Sequence, residues 1–166
     1  MNILMEAFND GFTPIFEAKN IMSLEKFVST HKVDKNLKPA REKQIGMLKA
    51  VTEVEPGDQF REYLLSYGAL SYKFIEFLGI SGSEPDAVPK LAKDTIILRK
   101  YGKNVPTNMI PIYKIHDEGL YAMVDESDNV YEVDVYHYFK GMNTPKNTKM
   151  KFEEYIVTKF MEADSN

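Results

Sequence analysis

Between Met109 and Tyr138 the chain falls into three runs rich in apolar residues, separated by two short polar breaks. The first run, 109–115, ends at His116-Asp117-Glu118-Gly119. The second, 120–124, ends at Asp125-Glu126-Ser127-Asp128-Asn129, and the third covers 130–136. Their β-branched and aromatic residues suit a pleated, half-buried surface. Breaks this short join only antiparallel neighbours, because a parallel pair needs a crossover of about a dozen residues. The pattern predicts a three-stranded meander near 109–115, 120–124 and 130–136. In its third strand Tyr131, Val133 and Val135 share one face, and Glu132 and Asp134 the other.

Upstream the spacing changes to that of helices. Ser23 is placed to cap a helix over 23–32, with Leu24, Phe27, Val28 and His31 as its stripe. A second helix is expected over 40–52, facing inward through Ile45 and Leu48 despite Gly46. After Pro56 or Asp58, the positions Phe60, Tyr63, Leu64 and Tyr67 define the clearest helix, and Gly68 is its natural stop. Residues 70–78 alternate and carry aromatics, which predicts one strand, with a loop over 79–85. Residues 86–101 contain a strand-like Asp94–Leu98, yet Val88, Leu91, Thr95 and Leu98 keep helical spacing over 87–101. The basic end at Arg99 and Lys100 selects a helix. A loop with a basic tip is expected to Lys149, and a last helix over 150–162 with Phe152, Tyr155, Ile156 and Phe160 inward. In residues 1–20, Gly11 and Pro14 interrupt Phe8, Phe12, Ile15 and Phe16, so an irregular arm or an edge strand near Thr13–Glu17 is expected.

Charge sharpens this picture. Residues 109–138 hold seven carboxylates and one lysine, so a local −6 sits in a chain whose formal total is −4. That balance disfavours nucleic-acid binding, which calls for a basic patch. There is no cysteine, which excludes disulfides and thiolate chemistry and fits a reducing compartment such as the cytoplasm. The N-terminus has neither the basic start nor the apolar run of a signal peptide, and no stretch is long enough to span a bilayer.

Catalytic patterns are sparse. His31, His116 and His137 lie far apart, without zinc-ligand spacing. His116 beside Asp117 fits either an oriented base or a solvated turn residue. The Gly79–Ser83 stretch matches neither a Walker loop nor a dinucleotide fingerprint. Asp125 to Glu132 lacks the spacing of a calcium loop, and the carboxylates of Glu132 and Asp134 share a face as a glycosidase pair would. The expectation is a non-enzyme without cofactor or metal.

The order of elements resembles the SUKH superfamily, whose best-known eukaryotic member is a fungal cell-wall synthesis regulator of the Knr type. Four places carry the resemblance. They are Val54-Glu55-Pro56 through Gln59–Leu65 to Gly68; Leu98-Arg99-Lys100-Tyr101 through Val105-Pro106 to Ile110–Ile112; Asp117–Gly119 through Tyr121–Asp125 and Val130–Asp134; and Phe152-Glu153-Glu154-Tyr155. It covers roughly 40–160, leaving 1–38 as an N-terminal extension packed on a single domain of 1–166. The family's leucine-proline is Glu55-Pro56 here, and its Asn-Gly-Gly helix end is Tyr67-Gly68-Ala69. The resemblance implies an α+β fold, a twisted, mostly antiparallel sheet with helices packed around it, and no catalysis. It implies that bacterial members are immunity proteins that neutralise secreted or contact-delivered toxins, many of them nucleases.

A basic nuclease surface would be met by an acidic sheet face. The expected contact residues are Tyr121, Asp125, Glu126, Asp128, Glu132, Asp134 and Tyr136. A competing site is the basic group Lys73, Arg99, Lys100 and Lys103, which would suit an acidic partner. The alternative functions are an intracellular scaffold or regulatory adaptor without a toxin, and a small hydrolase.

Overall fold

Helix α1, Leu24–Thr30, begins where the Ser23 hydroxyl accepts the Lys26 N–H at 3.2 Å. In this computed structural model residues 22–35 and 37–165 are described, so the arm or edge strand expected within 1–20 lies outside the described residues. Helix α2, Glu42–Thr52, starts with the Gln44 side chain turned back onto the Arg41 N–H at 2.9 Å. Helix α3, Asp58–Tyr67, stops at Gly68, where φ is +76°.

The strand expected over 70–78 is instead a tight hairpin. β1, Ser71–Tyr72, pairs antiparallel with β2, Ile75–Glu76. The chain reverses through Lys73 at φ +55°, a conformation no glycine or asparagine signalled in the sequence. Helix α4, Lys90–Tyr101, starts after Pro89 rather than at 87. The meander follows as β3, Ile110–His116; β4, Leu120–Val124; and β5, Asn129–Asp134.

A fourth strand, β6, Lys146–Lys151, lies where a loop was expected, and it completes an antiparallel sheet ordered β3-β4-β5-β6. Its polar sequence carries no apolar alternation because it is an edge strand with one neighbour. Register with β5 comes from backbone pairing, and the Thr148 hydroxyl adds a bond to the Val130 carbonyl at 2.8 Å. Helix α5, Phe152–Asp164, therefore begins two residues later than the sequence suggested.

The sheet buries both faces. Ile110, Ile112, Ala122, Val124 and Val130 join the larger core with Tyr155 and Ile156 of α5 and with Phe60 and Tyr63 of α3. Met123, Val133 and Val135 join a second cluster with Leu98 of α4. Each fully buried valine, leucine, isoleucine, methionine or phenylalanine among them contributes about 1.5–3 kcal/mol. Two helix ends are satisfied from other elements. The Gln59 side chain of α3 accepts the Glu153 N–H at the start of α5, at 2.9 Å. The Arg99 guanidinium donates to the Thr52 carbonyl at the end of α2 at 2.8 Å, and also to the carbonyls of Thr107 and Met109.

The last turn of α5 is tied to α1 and the β1–β2 hairpin through one carboxylate. Asp164 accepts from the Tyr72 hydroxyl at 2.7 Å and from the Lys73 ammonium at 2.8 Å, and His31 Nε2 stands 3.9 Å away. The Lys73 hydrogen bond, then the Tyr72 one, holds the Asp164 carboxyl below its ordinary range. A carboxyl depressed by folding stabilises the fold above its unfolded value and loses that contribution as pH falls through the folded one. Asp164→Asn should therefore lower the urea midpoint at neutral pH, and its difference from wild type should shrink below about pH 4. Urea titrations across a pH series check this.

Candidate interaction surface

The acidic segment begins its work in the β4–β5 turn. Asp125 Oδ1 accepts the N–H groups of Ser127 and Asn129, each at 2.9 Å, and so folds the turn on itself. This places Asp128 in the left-handed region, φ +65°, with its side chain directed at α3. Its two oxygens accept the N–H groups of Gln59 at 2.9 Å and Phe60 at 3.1 Å. Asp128 is thus an N-cap supplied from a distant strand turn, its charge set against the positive end of the helix. Gly57 leaves room for it, since a Cβ there would stand 2.5 Å from Asp128 Oδ1.

The carboxylates expected on one solvent face are dispersed. Asp128 is 6% exposed and Asp134 is 3% exposed. Asp134 Oδ2 accepts the Phe139 N–H at 2.5 Å and shapes the chain after β5. The alternation along β5 is as expected, but α5 covers the Glu132 side. Glu132 is half-buried there and accepts from the Tyr155 hydroxyl at 3.4 Å. Burial raises the Tyr155 phenol pKa, and the Glu132 charge adds to that rise. Asp125, Asp128 and Asp134 therefore support the fold from within rather than form a solvent-facing row. Glu126 is exposed, at an open depression that it lines with Glu53 and Glu55.

Tyr121 and Tyr136 lie elsewhere, half-buried on the opposite face against the Leu98 cluster. They sit near the β3–β4 turn, where Gly119 has φ +104° and a Cβ would come 2.4 Å from the Tyr136 ring. The Tyr136 and Tyr138 rings lie 6.0 Å apart. The Lys103 N–H donates to the Val135 carbonyl at 2.7 Å, which brings the end of α4 alongside this segment. Tyr138 is 69% exposed, Tyr101 65% and Ile97 52%. Tyr101, Tyr138 and Ile97 were not singled out in the sequence. One signal was available: Ile97 and Tyr101 are spaced i, i+4, off the inward stripe of α4.

The competing basic group does not converge. Arg99 is held by three carbonyls, and burial lowers its pKa. Lys73 pairs with Asp164, and Lys100 lies over the Tyr101 ring at 5.3 Å. His31 stacks on Phe27 at 3.8 Å, while His116 Nδ1 accepts the Glu118 N–H at 3.1 Å. Among the described residues no group of three or more His, Cys, Asp or Glu side chains is placed to hold a metal ion. No helix among them is long and apolar enough to cross a membrane.

Removing the Asp128 cap should show in stability. Asp128→Ala leaves two N–H groups of α3 unpaired and should cost about 1–3 kcal/mol. Asp128→Asn keeps an acceptor and tolerates the left-handed backbone, so it should cost less, and Gly57→Ala should destabilise by displacing the same carboxylate. Urea unfolding of the three variants checks the order.

No curated protein matches the chain. A family model described as SMI1-KNR4 cell-wall matches residues 19–161, beginning upstream of the 40–160 over which the four sequence motifs run. That match includes α1, both sheets and nearly all of α5. An α+β chain matched over this much of its length belongs to the SMI1-KNR4 cell-wall family of the SUKH superfamily.

Proposed function

We propose that this chain is a non-catalytic immunity protein that binds and neutralises a cognate protein toxin with a basic surface, a nuclease domain being the class that fits best. The family is consistent with immunity-protein and cell-wall-regulator roles alike. The observation that carries the immunity reading is the group of tyrosines Tyr121, Tyr136 and Tyr138 beside the exposed turn Asp117-Glu118, with the end of α4 and its exposed Tyr101 brought toward it by the Lys103–Val135 hydrogen bond. Tyrosines give large contact area for little lost side-chain freedom, and they dominate binding hot spots. Carboxylates at the edge of such an area steer a basic partner toward it and repel acidic ones. A toxin that grips phosphate must carry that basic surface. Tyr121 and Tyr136 keep their expected role in this reading, while Glu126 contributes to a separate acidic area at the other end of the meander. The proposed setting is the cytoplasm. A second reading, a scaffold or regulatory adaptor, uses the same area for a partner that is not a toxin and draws on the family's cell-wall-regulator roles.

Co-expression with the product of an adjacent toxin gene tests the proposal. Wild type should protect cells and bind the toxin domain. Tyr101→Ala combined with Tyr138→Ala, both at exposed positions, should leave the fold intact and weaken binding at least about tenfold. Unchanged affinity removes these tyrosines from the contact. Failure of wild type to protect, with no complex formed, removes the toxin reading and leaves the adaptor.

A further inference from the structure

A groove runs along the first turns of α4, on the side where β2 and the 79–89 loop approach it. Two cavities of about 320 and 240 Å³ make it up, and they share Leu37, Gly79 and Lys90 as lining. Ile80, Val88 and Pro89 are among the apolar residues of the first, Phe77, Leu78 and Leu91 of the second. Val88 is 40% exposed, an apolar side chain left open to solvent at the mouth.

The walls are fixed before anything binds. The buried Gln44 amide donates to the carbonyls of Ser81 at 2.6 Å and Glu84 at 3.2 Å. The Gly82 N–H reaches the Lys38 carbonyl and the Ile80 N–H the Gly68 carbonyl, each at 3.0 Å. A groove held this way loses little freedom when filled.

Its charges are unbalanced. Lys90 is neutralised by Asp94, Nζ to Oδ2 at 2.6 Å. Glu76 and Glu84 are exposed at the lining, and among the described residues neither carboxylate has an ion-pair partner. Asp94 also links the groove to the tyrosine area. Burial chiefly raises the Tyr121 pKa, with Tyr136, Asp94 and Asp117 adding to it.

We propose that this groove seats an extended segment of the basic protein partner, an apolar side chain entering between Leu37 and Val88 and flanking lysines or arginines meeting Glu76 and Glu84. The claim rests on the toxin-binding reading for the partner's identity, while the groove's preference is a property of this chain alone. The apolar lining supplies the anchor site, and the two free carboxylates select the flanking charge. The segment lies at the start of α4, and Tyr101 at the far end of that helix belongs to the contact already proposed.

Two blocked pentapeptides, Arg-Leu-Val-Leu-Arg and Gln-Leu-Val-Leu-Gln, are titrated into the isotope-labelled full chain by NMR. The arginine peptide should shift resonances of Leu37, Ile80, Val88 and Lys90, and bind about tenfold tighter than the glutamine peptide. Glu76→Lys with Glu84→Lys, two exposed positions, should abolish that preference and also weaken protection in the co-expression assay. Shifts confined to other surfaces, equal affinity for both peptides, or a preference unchanged in the double variant would overturn the proposal. So would concentration-dependent dimerisation with line broadening at these residues, which would make a second copy the occupant. Groove binding of the arginine peptide in a chain that does not protect cells refutes the toxin reading and keeps the groove's specificity. Protection that survives in the double variant refutes the groove while keeping the toxin reading.

Discussion

The structure depends on a carboxylate delivered across the chain to a helix start. Asp128 receives the Gln59 and Phe60 N–H groups of α3, and it can do so because the β4–β5 turn, folded by Asp125, holds it in a left-handed conformation. Unpaired N–H groups at a buried helix start are costly, and a charged acceptor there also meets the helix dipole. The hairpin and the helix therefore constrain one another. Glycine at position 57 is the steric condition of the arrangement.

The same logic passes onward. Gln59, in the first turn of α3, satisfies the start of α5, and Arg99 from α4 satisfies the end of α2. Helix ends that depend on side chains from other elements cannot form well in isolation. This makes the elements cooperative, with stability spread over contacts between residues far apart in sequence.

Much of the fold was legible because periodicity reports burial. Phe60, Tyr63 and Leu64 announced α3, and the apolar run over 120–124 between two polar breaks announced β4. β6 was not legible, since an edge strand of Lys146 to Lys151 needs no apolar face. The β1–β2 hairpin was hidden because Lys73 adopts a turn conformation usually left to glycine or asparagine. The contact surface was read less well than the fold. Alternation places Glu132 and Asp134 together, but it cannot say that Tyr155 of α5 meets Glu132 or that the chain after β5 folds back onto Asp134. Nor does charge count tell a carboxylate facing water from one bonded to backbone N–H groups.

The two margins of the four-stranded sheet have a further consequence. Along β3, the Leu78 N–H bonds the Ile112 carbonyl at 2.8 Å and Phe77 bridges Tyr113, so part of that margin is already occupied by the chain itself. Along β6, Lys146, Lys149 and Lys151 crowd positive charge onto the free backbone. An incoming strand finds one margin obstructed and the other electrostatically guarded, which discourages polymerisation through the sheet. Association then falls to side chains, and it stays reversible and selective in a way that ribbon-to-ribbon zippering does not.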